Sequence, residues 1–297
     1  MLLKIEELAP PPRAPAGWAL WALGFRPFYL LAAVFAALSV PLWALQWSGW
    51  LGTPYLAGPL WHAHEMLFGY ALAVVVGFLF TAGRNWSGQP TPTGPALMTL
   101  AALWLAGRVL VLTPWGVAAA LVNVAFAWVA AAALWRALHA ANNRRNYFFV
   151  AVLVALGLAE ALMHANRLGL LVLPEALGVQ IGLDLLLFVM AVMAGRVVPM
   201  FTNNGVPGAQ ARRVEWVERV ALGTVLALLA ADLLRAPALL LAPLLLLATA
   251  AHGARWALWQ PWTTLRHPLV WVLHAAYLWV PLHLALRAGA LAGWLPG

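Results

Sequence analysis

The stretch Trp61 to Trp86, WHAHEMLFGYALAVVVGFLFTAGRNW, constrains this chain more than any other. At about 1.5 Å per residue, the roughly 20 apolar residues needed to cross a bilayer are present between Met66 and Gly83 with its polar rims. His62, His64 and Glu65 stand at one mouth of the span, Arg84 and Trp86 at the other. Ionisable groups at the edge of hydrocarbon are expensive, so the run reads as a transmembrane helix with a functional site at its mouth.

The rest of the chain repeats the message. Hydrophobic residues make up 64% and charged residues only 9%, far from the roughly 25% charged usage of soluble domains. This predicts an all-α polytopic transmembrane helix bundle. The formal charge of +8 is no nucleic-acid footprint, because the arginines sit singly or in pairs between apolar spans. The absence of cysteine excludes disulfides and thiolate ligands, leaving imidazole, carboxylate and thioether to bind a metal.

Residues 1–23 form a proline-rich lead with the string PPPRAP, extended rather than helical and expected in the cytoplasm. No small-residue cleavage site follows a short apolar core, so it does not read as a signal peptide. Residues 24–297 form the transmembrane domain. Nine spans are expected: Phe25 to Trp47, the organising stretch, Pro95–Leu112, Trp115–Leu138, Tyr147–Leu168, Ala176–Val198, Val217–Leu234, Ala238–Leu258 and Pro268–Leu291. The seventh and eighth read as packing or lipid-facing helices, and the sixth ends at the sequence Arg196-Val-Val-Pro199. With the N-terminus in the cytoplasm, thirteen of the 17 basic residues fall on the inner side and four on the outer. This positive-inside bias predicts a cytoplasmic N-terminus.

Helix rise then sets the depth of each polar group. From the outer edge, His62 and His64 lie about 3 to 6 Å in, Arg108 about 7 Å, His164 about 8 Å, Asp184 and His283 about 10 to 12 Å, and Glu160 about 14 Å. Residues on five helices sharing one depth predict a single site inside the bundle, since each would be unpaired in lipid. Histidine offers a neutral nitrogen to haem iron, copper or zinc, and a neighbouring carboxylate can orient the ring. The candidate metal ligands are His62, His64, His164, Glu65 and Glu160. His283, Arg108 and Arg196 join the three histidines as candidate cofactor-binding residues. His164 and Glu160 are spaced for one helical face, and so are His62 and Glu65. His62 and His64 are about 200° apart on a regular helix and cannot both grip one metal.

Five strings now carry a resemblance: GFRPFYLLAAVFAAL, WHAHEMLFGYALAVVVGFLFTAGRNWSGQPTPTG, LAALWLAGR, NRRNYFFVAVLVALGLAEALMH and GRVVPMFTNNG. In order and register from Gly24 to Gly205 they resemble the signatures of the NnrS family. These are bacterial inner-membrane proteins associated with nitric oxide and nitrosative stress and described as containing haem and copper. The resemblance implies haem and copper as cofactors, nitric oxide or a related small molecule as ligand, a redox partner, membrane lipid around the bundle and no nucleic acid. Its motif histidines would be His62, His64 and His164, and its arginine-proline turn Arg196 and Pro199. Family members are similar but longer, with further spans beyond His274 and His283. Two other classes stay open on the residues alone. One is a transporter of a small solute, metal or haem built on Glu160, Asp184 and Arg108. The other is a quinol-linked b-type electron-transfer protein, which needs histidines in both leaflets, and only His274 offers one on the inner side.

Overall fold

The computed structural model describes residues 19–294, and every regular element among them is helical. Residues 1–18 of the proline-rich lead lie outside the described residues; a single 3-10 turn, Ala19–Ala22, precedes the bundle. Nine long helices follow: α1 Phe25–Trp47, α2 Gly58–Ser87, α3 Gly94–Leu110, α4 Gly116–Ala140, α5 Tyr147–Arg167, α6 Leu177–Gly205, α7 Glu215–Leu233, α8 Ala238–Leu258 and α9 Pro268–Leu291. Seven are long and apolar enough to cross a bilayer. The exceptions are α3, at 17 residues, and α7, which carries Glu215, Glu218, Arg219 and Asp232.

Local chemistry sets the boundaries. Proline in the first turn of α2, α3 and α9 supplies a preset φ where the missing N–H is unneeded. Gly88, at φ 65°, closes α2 in the left-handed conformation, and its N–H bonds the Arg84 carbonyl at 2.8 Å. One boundary differs from expectation. The sixth span does not stop at Val198 but runs through Pro199 to Gly205. In lipid a helix has no competing water to unravel it, and a proline removes one backbone bond without forcing a turn. Arg196 and Pro199 are therefore one helical segment.

Sequence neighbours pack side by side from α3 through α9, α1 lies against α2, and α9 returns onto α6. Two apolar cores result. The larger joins α1 through α6 around Phe28, Phe68, Phe80, Trp104 and Phe149; the smaller joins α6, α7, α8 and α9 around Leu228, Leu245, Trp259 and Leu284. Helix α6 is the common wall. Gly178 and Gly182 let it approach α5 and α2 closely: a Cβ on Gly182 would lie 2.9 Å from Phe68 Cζ.

The irregularity that matters is in α2, where Glu65–Ala71 is π-helical. A π turn widens the helix and changes which side chains face inward, and such turns recur at functional sites. Here it leaves the Gly69 carbonyl to accept the Trp104 indole N–H at 3.0 Å. A Cβ on Gly69 would run into the Arg108 guanidinium.

Candidate metal centre

Helix α2 brings His64 and Glu65, and α5 brings Glu160 and His164, to one buried point near the arginine-poor end of the bundle. All four are at most 1% exposed. One donor atom each from His64, Glu160 and His164 lies within 4.8 Å of the others. His64 Nε2 is 3.2 Å from Glu160 Oε1. The pair is close but off the hydrogen-bond direction: His64 Nε2, both Glu160 oxygens and His164 Nε2 have no hydrogen-bond partner. Buried polar atoms are almost always satisfied. Three buried side chains that bring one donor atom each within 4.8 Å of the others, with no other partner for those atoms, form a candidate metal site.

Each histidine is held from behind. His64 Nδ1 is 2.8 Å from Glu65 Oε1, and Glu65 Oε2 accepts from Arg108 Nη1 at 3.0 Å. Arg108 Nη2 donates to Asn123 Oδ1, and Asn123 Nδ2 donates to the Ala119 carbonyl at 2.8 Å. The guanidinium also lies 5.6 Å from the Trp104 ring centroid. His164 Nδ1 is 3.2 Å from the Tyr55 hydroxyl, which sits 3.5 Å from the His164 carbonyl. If both Nδ1 atoms carry the proton, both Nε2 lone pairs face the centre, as outer-shell carboxylates and hydroxyls arrange in metal sites. Tyr55 belongs to the loop between α1 and α2, whose backbone bonds the Thr113 and Val111 carbonyls at 2.9 and 3.2 Å. Burial pushes the Tyr55 hydroxyl up to about 12, against the opposing charge of Arg167, so it stays a neutral phenol.

The donor set suits a single ion; a haem at His64 does not fit it. Pyrrole nitrogens surround haem iron directly beside the axial ligand, and Glu160 Oε1 stands in that place. Charge points the same way: Glu65 is matched by Arg108, but Glu160 has no cationic side chain of its own other than His64. A buried carboxylate without a counter-charge is strongly disfavoured.

The remaining sequence candidates lie elsewhere. His62 is half-buried and stacks on Trp43, with ring centroids 4.3 Å apart and an interplanar angle of 9°. His283 is exposed on α9. Arg196 is at the other end of the bundle, where it donates to Asn146 Oδ1 at 3.0 Å among Trp86, Phe148 and Phe149.

Nor is there one polar site at a common depth. Asp184 belongs to a second group, with Gln180 donating to it at 3.1 Å and Arg287 3.7 Å away; Arg287 also pairs with Asp232. Asp184 is two residues past Gly182, about 200° around α6, so it faces α7 and α9 instead of α2. A third group joins the helices expected only to pack. Arg255 donates to both oxygens of Glu218, at 2.8 and 2.6 Å, to the Ala191 carbonyl at 2.7 Å and to the Tyr277 hydroxyl at 3.1 Å. His252 Nδ1 is 2.6 Å from the same hydroxyl. A Cβ on Gly195 would strike the Arg255 guanidinium.

Tyr55 and Asn123 are the functional neighbours that the sequence reading does not single out. Asn123 had a signal, an amide in the middle of an otherwise apolar span; Tyr55, in a loop, had none. A family model described as NnrS protein matches residues 19–297. No curated protein and no solved structure matches the chain.

Proposed function

The chain belongs to the NnrS family, and from that premise we propose that it is a multi-pass inner-membrane metalloprotein of the nitric-oxide response. The centre that serves it is the His64–Glu160–His164 group. The observation that carries this reading is the convergence of three buried side chains whose inward atoms lack partners while both histidines are braced from behind. Copper is the ion the family implies, and two imidazoles with one carboxylate also suit iron(II) and zinc. Copper bound by these residues would supply one-electron chemistry toward a small ligand.

The residues have separable tasks. His64, His164 and Glu160 hold the ion; Glu65 and Tyr55 fix the two rings; Arg108 balances Glu65 so that the braced carboxylate is not itself an uncompensated charge. Burial of the whole group excludes bulk water and favours an uncharged ligand that partitions into the membrane, as nitric oxide does. Haem, the other cofactor the family implies, has no seat at His64.

A second reading has one observation behind it. His64 lies between two carboxylates, at 2.8 and 3.2 Å, an arrangement in which an imidazolium would supply Glu160 with the positive charge it otherwise lacks. The group would then be a proton-holding network of a transporter. One experiment separates the two. Detergent-purified protein is loaded with copper, and its electron paramagnetic resonance spectrum is recorded before and after nitric oxide. Nitrogen splitting from two imidazoles, altered by the gas, is the expected result. A chain that holds no ion, or whose ion ignores the gas, refutes the proposed role.

A further inference from the structure

A groove runs along the α3/α4 hairpin, far from the metal centre in both residues and chemistry. Its mouth, a cavity of about 640 Å³ at the arginine-rich end, is lined by the α2–α3 loop and by Trp135, Arg136 and His139 of α4. A second cavity of about 460 Å³ continues it between the two helices and shares Pro92, Ala96, Ala133 and Arg136 with the first. Beyond Arg136 the walls are apolar apart from Thr99.

The groove follows from helix length. Helix α4 has 25 residues and α3 only 17, and a short turn joins them at the arginine-poor end. The excess of α4, about 12 Å, therefore projects at the arginine-rich end beyond α3, so that α4 is covered there by α5 on one side and only by the α2–α3 loop on the other. Alanine at 96, 132 and 133 leaves the cleft open instead of filling it.

We propose that this groove binds one anionic phospholipid, with the phosphate on Arg136 and an acyl chain between α3 and α4. Two features of the groove select that occupant. Charge is the first: no carboxylate lines either cavity, and among the described residues no acidic group pairs with Arg136. His139 stacks on Trp135, with centroids 4.8 Å apart, beside the headgroup position. Basic pockets between transmembrane helices are where anionic headgroups bind. Length is the second: from Ala140 to Val129 the groove covers 12 residues of α4, a rise of about 16 Å. That is close to half of the roughly 30 Å hydrocarbon core, the reach of one leaflet. A soluble phosphate would fill the mouth and leave the apolar part empty.

The test is native mass spectrometry of the full chain released from nanodiscs holding equal amounts of phosphatidylglycerol and phosphatidylcholine with identical acyl chains. The wild type is expected to retain one phosphatidylglycerol with about fivefold preference, the worth of one arginine at an anionic surface. Arg136→Gln removes the preference while still retaining lipid, and Ala133→Trp lowers retention of both lipids by filling the groove. Glycerol phosphate in excess leaves retention unchanged. Equal retention of the two lipids by the wild type overturns the proposal and identifies ordinary surrounding lipid. So does an unchanged preference in Arg136→Gln, displacement by glycerol phosphate alone, or a lipid-free dimer closed through this face. Arg136 is exposed, so its loss leaves the fold intact, and the tryptophan variant reads the groove independently of the charge.

Discussion

Replacing Arg108 with methionine tests the bracing of the centre most sharply. Arg108 is 7% exposed and bonds Glu65 Oε2 at 3.0 Å as well as Asn123. Methionine keeps the length and apolar stem but leaves Glu65 as a buried carboxylate with no cation, which costs about 3–5 kcal/mol. Glu65→Gln is milder: its one amide oxygen can still accept from Arg108 or from His64, though not from both, and it costs about 1–3 kcal/mol through the donor left behind. Neutral interhelical hydrogen bonds in membranes average only about 0.6 kcal/mol, so a loss above ~2 kcal/mol identifies the charge and not the hydrogen bond as the dominant effect. The double variant removes both charges together and should lose clearly less than the sum, with a coupling of at least ~1.5 kcal/mol. Unfolding in detergent can be followed by intrinsic tryptophan fluorescence, since 18 tryptophans report on the bundle and no cysteine is present for thiol dyes. Additivity within about 0.5 kcal/mol would refute the reasoning, because it would mean that the two groups act independently.

Three further outcomes follow from the same geometry. Tyr55→Phe removes the hydroxyl that holds His164 Nδ1, and should weaken metal affinity 10–100-fold, in the range typical of an outer-shell partner, without loss of fold; competition with a chelator of known affinity measures it. His62→Ala should leave metal content unchanged, since the ring stacks on Trp43 away from the centre, and metal analysis of the purified variant decides. Arg255→Lys cannot reproduce the two-pronged grip on Glu218 or reach the Ala191 carbonyl at the same time, and should lower stability by about 1–3 kcal/mol while metal content stays at the wild-type level.

The spans were legible because lipid leaves the chain little freedom: long apolar runs ended by proline, glycine and arginine must be helices. All nine expected helices appear among the described residues within a few residues of their limits, except that α6 runs on to Gly205, but only seven are long and apolar enough to count as spans. Side-chain partners were harder to read. Spacing along a regular helix pairs Glu160 with His164 and His62 with Glu65, whereas the carboxylates of Glu160 and Glu65 both meet His64. The π turn that starts at Glu65 changes the angular step, and nothing in the string EMLFGYA announces it. Depth was also an incomplete guide. Asp184 and His164 lie at similar heights, yet α6 stands between them, and height along a helix says nothing of which way a residue faces. Glu218 and Arg255 lie 37 residues apart, and their pairing exists only because α7 and α8 lie side by side.

The most direct test of the central claim is the metal content of protein purified from membranes grown with copper, iron and zinc present. It should be compared across the wild type, His64→Ala, His164→Ala and Glu160→Gln. The account predicts one transition-metal ion per chain in the wild type, its loss in both histidine variants and a weakened site in the glutamine variant. A metal-free wild type, or a stoichiometry that all three variants retain, would contradict it and leave the buried group as a proton-holding network.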